Sequence, residues 1–275
     1  GAIVCLRAAL GTAVLLPLAV RTGALEALRG RWGWLVVVAL VQVVLPFLLI
    51  TLGEHHVATA LAGILVAAMP LWTALLAARF DDAEVPRGWR AAGVVMGIAG
   101  VVLLFGVDLA GSADELLGGA LILGAALAYA IGPMLIKHRL AGVSPVGFAG
   151  PMMAVSALAT LPLLVAAPPP HAPAAGTVAG LVVLGAGSTG IAFLWYYTIM
   201  REVGPGRASI VSYLAPPFAL LYGTVFLGES LGAGAVAGIV LILAGSWLAV
   251  SGRLPGRVSR TEPSRSSAPA PARAR

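Results

Sequence analysis

The side chains that could do chemistry in this sequence are few, and the most informative is an arginine inside an apolar segment. Arg7 lies fourteen residues before Arg21, roughly 20 Å along a helix, with no charged residue between them. An arginine surrounded by hydrocarbon is unfavourable unless it pairs or meets water. Arg7 is therefore either a cavity-facing cation that binds anionic groups, or a structural side chain that bonds helix-end carbonyls or extends outward.

Several hydrogen-bonding and aromatic side chains also lie inside apolar segments and could contact a small solute. Gln42 needs a hydrogen-bond partner there, and a solute and a neighbouring helix are equally good candidates. The deepest tyrosines offer an aromatic face with a hydroxyl, and two further hydroxyls lie in a glycine-rich run. The predicted substrate-binding set is Arg7, Gln42, Tyr129, Ser188, Thr189, Trp195 and Tyr213.

No pattern in the sequence is typical of catalysis, of a metal site or of a bound cofactor, so we predict none of these. Residues 185–190, GAGSTG, match the spacing of a dinucleotide-binding loop, but no strand–helix–strand unit surrounds them. Close packing of helices by small residues is the better interpretation, and a locally weakened helix is also compatible with the run. Glu54, His55 and His56 form either a proton-sensing or substrate-admitting group or a solvated turn.

The composition identifies the solvent of these segments as lipid. Of 275 residues, 60% are hydrophobic and only 10% are charged, whereas a soluble domain has about 25% charged residues. A bilayer core needs about 20 apolar residues per helix. The fold class is therefore an all-α integral membrane protein, a polytopic helix bundle. Its predicted spans are roughly 1–20, 32–52, 56–79, 88–107, 116–136, 145–167, 177–200, 207–227 and 232–251.

The basic residues indicate the orientation of the chain. Under this assignment sixteen of the 17 lysines and arginines fall on one side of the membrane, in alternate connections and in the C-terminal tail. The positive-inside rule makes that side cytoplasmic. The net charge of +6 is thus a topology signal, with membrane lipid as a partner and no nucleic acid expected. The tail, residues 252–275, is rich in Arg, Ser, Pro and Ala and is predicted to be disordered and cytoplasmic.

Two stretches of the sequence resemble each other, which predicts an internal repeat. Each has a proline inside a span, then an acidic turn, then a glycine-rich final helix. These features lie at Pro70, Glu84, Gly93 and Gly100 in the first copy and at Pro216 or Pro217, Glu229, Gly238 and Gly245 in the second. The charge pattern places the two acidic turns on opposite sides, so the copies run in opposite directions, as in many secondary transporters.

The repeat defines the domain organisation. Residues 1–107 form a first repeat with four spans, and residues 116–251 form a second with five, so we expect the missing helix to precede Gly1. Pro70, Pro216 and Pro217 interrupt their spans and act either as hinges or as static kinks. The glycines of the final helices are interpreted as packing residues.

The order of these motifs resembles that of EamA-type carriers of the drug/metabolite transporter superfamily. The resemblance also includes LRAAL at residues 6–10 and FLWYYTIMREVGPGRAS at residues 193–209, and it covers nearly all of residues 1–252. It implies ten helices in two inverted five-helix repeats around a central cavity. It also implies a small-molecule substrate, either a small metabolite or an amino-acid-like solute. The first acidic turn, RFDDAEVP, departs from the family's usual Gly-Glu pair.

The expected function is transport across the cell membrane by alternating access and without ATP. The export direction is implied only by the resemblance. A cationic multidrug exporter is an alternative, although it would need a membrane-embedded acidic residue. A non-transporting membrane scaffold is the alternative from another class. The sequence leaves open a coupling ion such as the proton, and the oligomeric state.

Overall fold

The computed structural model of the chain describes residues 1–80, 87–107, 112–169, 173–228 and 232–251, and in these ranges the regular structure is helical. The predicted disordered tail at 252–275 and the acidic turns at Glu84 and Glu229 lie outside the described residues. The all-α class predicted from composition is confirmed.

The described residues of the first half form six α-helices. A 3₁₀ turn, Ala24–Leu28, follows the first helix, and a π-helical segment, Leu40–Val44, joins the second helix to the third. The α-helices are α1 (Ala2–Arg21), α2 (Trp32–Ala39), α3 (Leu45–Gly53), α4 (Thr59–Val66), α5 (Met69–Phe80) and α6 (Trp89–Val107).

The described residues of the second half form seven α-helices and also include two irregular helical segments. A π-helical segment, Val183–Ile191, joins α9 to α10, and a 3₁₀ segment, Ser209–Leu214, leads into α12. The α-helices are α7 (Ala113–Arg139), α8 (Pro145–Ala166), α9 (Ala175–Val182), α10 (Ala192–Val203), α11 (Pro205–Ala208), α12 (Ala215–Phe226) and α13 (Ala233–Ser251).

The lengths of these helices fit a bilayer. Seven helical stretches of the described chain are long and apolar enough to cross a membrane, and two shorter apolar helices, Trp89–Leu104 and Ala215–Phe226, occupy two further predicted spans. Helices thus occur at all nine predicted positions. Many large apolar side chains are exposed on the outside of the bundle, including Val95, Leu158 and Phe218. This apolar outer surface fits a protein that is surrounded by lipid.

The two spans that carry Pro70 and Pro216–Pro217 are each interrupted just before the proline. The chain turns at Ala67 and Ala68, whose amides bond carbonyls three residues back, and α5 starts immediately before Pro70. In the second half the 3₁₀ segment ends where α12 begins, with Pro216 buried and Pro217 exposed. Proline lacks an amide hydrogen and crowds the preceding turn, which explains both breaks.

Small residues set the spacing of the helices that bring the two halves together. A Cβ added to Gly93 of α6 would lie 2.6 Å from the Gly245 carbonyl oxygen of α13, and one added to Gly100 would lie 2.9 Å from that of Gly238. The interpretation of these four glycines as packing residues is confirmed. The contact pairs the final helices of the two predicted repeats, whose inverted relationship stays a prediction.

Candidate functional site

Arg7 points into the helix bundle. The buried side of α1 carries Val4, Ala8 and Leu15, and Arg7 lies at the edge of this stripe, one turn beyond Val4. Its Nε and Nη2 atoms donate hydrogen bonds to the Oγ1 atom of Thr189, at 3.3 and 3.2 Å. The guanidinium carbon also lies 4.1 Å from the centroid of the Phe47 ring, a cation–π contact. Of the alternatives for Arg7, this geometry favours the inward-facing one.

Thr189 is presented to Arg7 by an irregular stretch of helix. Its hydroxyl donates to the Leu184 carbonyl, five residues back, at 2.9 Å, which is the spacing of a π-helix. The same oxygen accepts both hydrogen bonds from Arg7, so this fully buried hydroxyl is satisfied in both roles. π-Helical insertions are frequent at functional sites because they re-aim side chains.

The glycines of residues 185–190 let α1 approach this irregular stretch. A Cβ at Gly185 would lie 2.6 Å from the Cβ of Leu10, and one at Gly190 would lie 3.5 Å from the Cα of Gly11. The packing interpretation of the GAGSTG run is confirmed, and the π-helix shows that the helix is also irregular there.

Gln42 lies in the other π-helical segment and is 2% exposed. Its amide packs directly against Gly132 of α7, where any larger residue would overlap it. It also lies near the Tyr197 hydroxyl. Its Oε1 atom is buried without a hydrogen-bond partner among the described residues. The close approach to α7 therefore does not satisfy the acceptor of this amide.

Two more buried polar atoms in the described part of the chain have no partner. They are the Nε1 atom of Trp72 and the hydroxyl of Tyr196. Both side chains pack with Tyr129 around Met69, Ala126 and Ala130. Most buried polar atoms in native proteins are hydrogen-bonded, so each exception needs an explanation, such as a bound solute or water.

Tyr129 connects these groups into one cluster. It packs on the same hydrophobic cluster as Trp72 and Tyr196, and its side chain lies near Arg7. We define the central cluster as Arg7, Gln42, Phe47, Trp72, Tyr129, Thr189 and Tyr196. It combines one cation, three aromatic faces with polar atoms and an unsatisfied amide oxygen, which suits a small polar molecule with an acidic group.

A path of aromatic contacts runs from this cluster along α10. The ring centroids of Phe47 and Phe193 are 6.3 Å apart, and those of Phe193 and Tyr197 are 5.7 Å apart. Tyr197 also meets Tyr196 at 5.4 Å and Phe148 at 4.9 Å. Tyr197 is fully buried and lies between the central cluster and the C-terminal end of α10.

Two of the other predicted site residues face outward and do not join this cluster. Trp195 is 69% exposed on the outer surface of α10, and Ser188 is also exposed. The backbone of Tyr213 lies in the 3₁₀ segment, and its side chain is outside the described residues. Of the seven predicted side chains, the structure brings together Arg7, Gln42, Tyr129 and Thr189.

Sequence reasoning left Phe47, Trp72 and Tyr196 out of the predicted set. The spacing of the aromatic residues in α10 contains a signal for Tyr196. Phe193, Tyr196, Tyr197 and Met200 recur at helical spacing and form the inward stripe, which leaves Trp195 on the opposite face.

Metal chemistry has no ligand set within the described ranges. No three side chains among His, Cys, Asp and Glu come together there. His55 and His56 are exposed in the turn after α3.

Comparison with known proteins identifies the family. The sequence profile of the EamA-like transporter family matches residues 1–106 and 116–251. An uncharacterized transporter of Archaeoglobus fulgidus is 26% identical over 205 residues, covering 74% of this chain and 72% of that protein. A probable terminal-alkyne amino-acid exporter of Streptantibioticus cattleyicolor is 32% identical over 205 residues, covering 70% of this chain and 67% of that protein.

A solved crystal structure supports the fold. It is 22% identical in sequence and superposes with a TM-score of 0.68, covering 90% of this chain and 86% of that one. The resemblance noted in the sequence is confirmed, and the chain is a membrane protein that belongs to the EamA-like transporter family.

Proposed function

We propose that the chain is a carrier that exports small metabolites or amino-acid-like solutes by alternating access, without ATP. The observation that carries the proposal is the central cluster, in which Tyr129 links a cation on α1 to side chains with unsatisfied polar atoms. A bundle that served only as a membrane scaffold would gain nothing from three buried polar atoms without partners, because each lowers its stability.

The chemistry of the cluster fits a solute of the amino-acid class. A carboxylate would replace or share the Thr189 hydroxyl as the partner of Arg7, since a charge-assisted hydrogen bond is stronger than a neutral one. An ammonium group would satisfy the Oε1 atom of Gln42, and the rings of Trp72, Tyr129 and Tyr196 would enclose an apolar side chain. The relative described as a probable amino-acid exporter supports this class.

The broken helices supply places for the movement. We propose that the two inverted repeats, residues 1–107 and 116–251, rock against each other, and that Pro70, Pro216 and Pro217 are the hinge positions. The packing of α4 against α12, where Gly63 faces Ala219, brings the two interrupted spans together and supports this proposal.

A cationic drug exporter is a weaker alternative on the same observations. Such a carrier needs a negative group in the membrane to balance its substrate. The central cluster instead contains a positive charge, whose hydrogen-bond and ring contacts are Thr189 and Phe47, and the carboxylate that influences it, Glu54, is exposed in the turn after α3.

We also propose that the protein lies in the cell membrane with its C-terminus in the cytoplasm. The basic connections support this orientation, among them the connection that contains Arg29 and Arg31.

The test is transport by the purified chain in liposomes without ATP. Radiolabelled amino acids loaded on one side should exchange with those on the other, and empty liposomes give the background. Arg7→Gln should abolish exchange, whereas Arg21→Gln, which changes an exposed arginine at the end of the same helix, should retain it. A correctly inserted chain that exchanges no solute of the panel would contradict the proposal and favour the scaffold alternative.

A further inference from the structure

A cavity lies at the other end of the aromatic path, away from the central cluster. Its volume is about 260 Å³, and it is formed by the end of α7, the start of α8 and the end of α10. Phe148, Tyr197 and Met200 line it, and these three side chains belong to the hydrophobic core. The cavity therefore reaches from the end of the bundle into its interior.

Two cations line this cavity. Lys137 and Arg201 both contribute to its wall and are exposed to solvent. No Asp or Glu is among the side chains that line it. The lining of the cavity thus carries positive charge without an acidic residue to balance it.

Two neighbouring arginines at this end of the bundle make contacts within the protein. Arg31 donates a hydrogen bond to the carbonyl oxygen of Ala141. The Arg139 guanidinium stacks on the Trp34 ring, 4.1 Å from its centroid. Lys137 and Arg201 line the open cavity instead, where their charges are available to a bound molecule.

We propose that this cavity binds an amphipathic organic anion, and that Lys137 and Arg201 hold the acidic group of the solute before it reaches the central cluster. The apolar part of the molecule lies on Phe148 and Met200. The cavity is smaller than the roughly 300–1,000 Å³ of sites for drug-sized ligands, so it suits a small solute. The inference rests on the proposed function and defines its substrate class as solutes that carry an acidic group.

Tyr197 is the physical link between the two sites. It lines the cavity, and its ring contacts Tyr196 of the central cluster. Its hydroxyl lies 3.8 Å from the sulfur of Met152, a weak acceptor that a solute could replace. A solute in the cavity is therefore separated from the central cluster by this aromatic side chain.

The same acidic chemistry could come from a phospholipid headgroup, because basic pockets between membrane helices also bind such groups. The position of the cavity favours a solute. Its floor is formed by core residues and by Tyr197, whereas a lipid headgroup needs a groove for its chains along the outer surface.

The test measures binding separately from transport. The chain is placed in phosphatidylcholine nanodiscs and titrated with N-acetylphenylalanine, which has a carboxylate and an apolar ring. Its neutral amide and N-acetylglycine are the matched probes that lack one feature each. The variants are Lys137→Gln and Arg201→Gln, with Arg29→Gln as the control because Arg29 is an exposed cation outside the cavity.

We expect N-acetylphenylalanine to bind, and each cavity variant to weaken it about tenfold, a loss typical of one charge-assisted contact. The amide and N-acetylglycine should bind more weakly than N-acetylphenylalanine, and Arg29→Gln should bind like the original chain. Equal binding of the acid and its amide, or unchanged binding in both cavity variants, would overturn the inference even if the liposomes show transport.

A second arm separates the two sources of the acidic group. Phosphatidylglycerol is added to the nanodiscs and the titration is repeated. Unchanged binding of the probe supports a solute site, whereas displacement that disappears in Lys137→Gln and Arg201→Gln assigns the site to lipid and overturns the solute assignment. If the probe binds as expected but the liposomes show no exchange, the anion site stands and the proposed function fails.

Discussion

The guanidinium of Arg7 and the hydroxyl of Thr189 are joined by two hydrogen bonds, although 182 residues separate them in the chain. Thr189 also donates to the Leu184 carbonyl, so the position of Arg7 depends on the π-helical form of that segment. A change that straightens the π-helix would withdraw the oxygen from Arg7. The arginine is thus coupled to the shape of a helix in the other half of the chain.

The first prediction concerns a variant that lacks the Thr189 hydroxyl oxygen but keeps the shape of the side chain. Thr189→Val should lower the free energy of unfolding by about 1.5–3 kcal/mol, as expected for a hydrogen bond to a charged group, and should impair exchange in liposomes. Thr189→Ser keeps the hydroxyl and should retain most of the stability and most of the exchange activity. Unfolding in detergent and exchange in liposomes are the two measurements.

Thr198→Val is the matched control for this prediction. Thr198 lies in the same helical span, is exposed and bonds only the Leu194 carbonyl within its own helix. Its replacement should leave exchange unchanged. Equal losses in the two valine variants would mean that the contact between Arg7 and Thr189 has no special role.

The second prediction separates stability from function at Gln42. Gln42→Leu removes a buried amide whose acceptor oxygen has no partner, so the free energy of unfolding should stay constant or rise. Exchange should nevertheless fall, because the solute loses a hydrogen-bond partner. The control is Thr160→Val, which removes a buried hydroxyl already bonded to Ser156, and which should lower stability without lowering exchange. A loss of both quantities in Gln42→Leu would make the glutamine a structural residue.

The third prediction concerns the contact between α6 and α13. Gly93→Leu should strongly destabilise the protein, because the new side chain would meet the Gly245 backbone at a distance that real Cβ atoms do not adopt. Gly180→Ala is the control, since nothing lies within 4 Å of an added Cβ there, and alanine should stabilise the helix by roughly 0.5–1 kcal/mol. Melting temperatures in detergent measure the expected decrease for Gly93→Leu and the expected increase for Gly180→Ala. A leucine that is tolerated at position 93 would show that the two helices can separate.

The sequence predicted the spans and the isolated polar side chains because both depend on local physics. A run of apolar residues is enough to predict a membrane helix, and an arginine such as Arg7 within one attracts attention by its cost. The partners of these side chains depend on how distant helices pack. The contact of Arg7 with Phe47 and Thr189 therefore could not be read from the chain.

The choice between neighbouring aromatic residues in α10 required the direction of the helix face. Trp195 and Tyr196 are adjacent and equally apolar in context, yet one is 69% exposed and the other packs with Tyr129. A shift of one residue turns a side chain by about 100° around an α-helix. An error of one position can therefore assign to the interior a side chain that faces lipid. The stripe of inward-facing side chains that ends at Met200 shows which face of α10 points into the bundle.

The last prediction concerns the orientation that the basic residues indicate. Cys5 is the only cysteine and is buried, so Cys5→Ser gives a background for single-cysteine labelling with a membrane-impermeant maleimide. Introduced into that background, His55→Cys should label in intact cells, because the turn after α3 is predicted to face outward. Arg29→Cys should label only after the membrane is opened, since its connection is predicted to be cytoplasmic. Both positions are exposed, so a difference in labelling reports the side of the membrane and not burial. The reverse pattern would invert the topology and place the cavity of Lys137 and Arg201 on the outer side, where it would receive solutes from outside the cell.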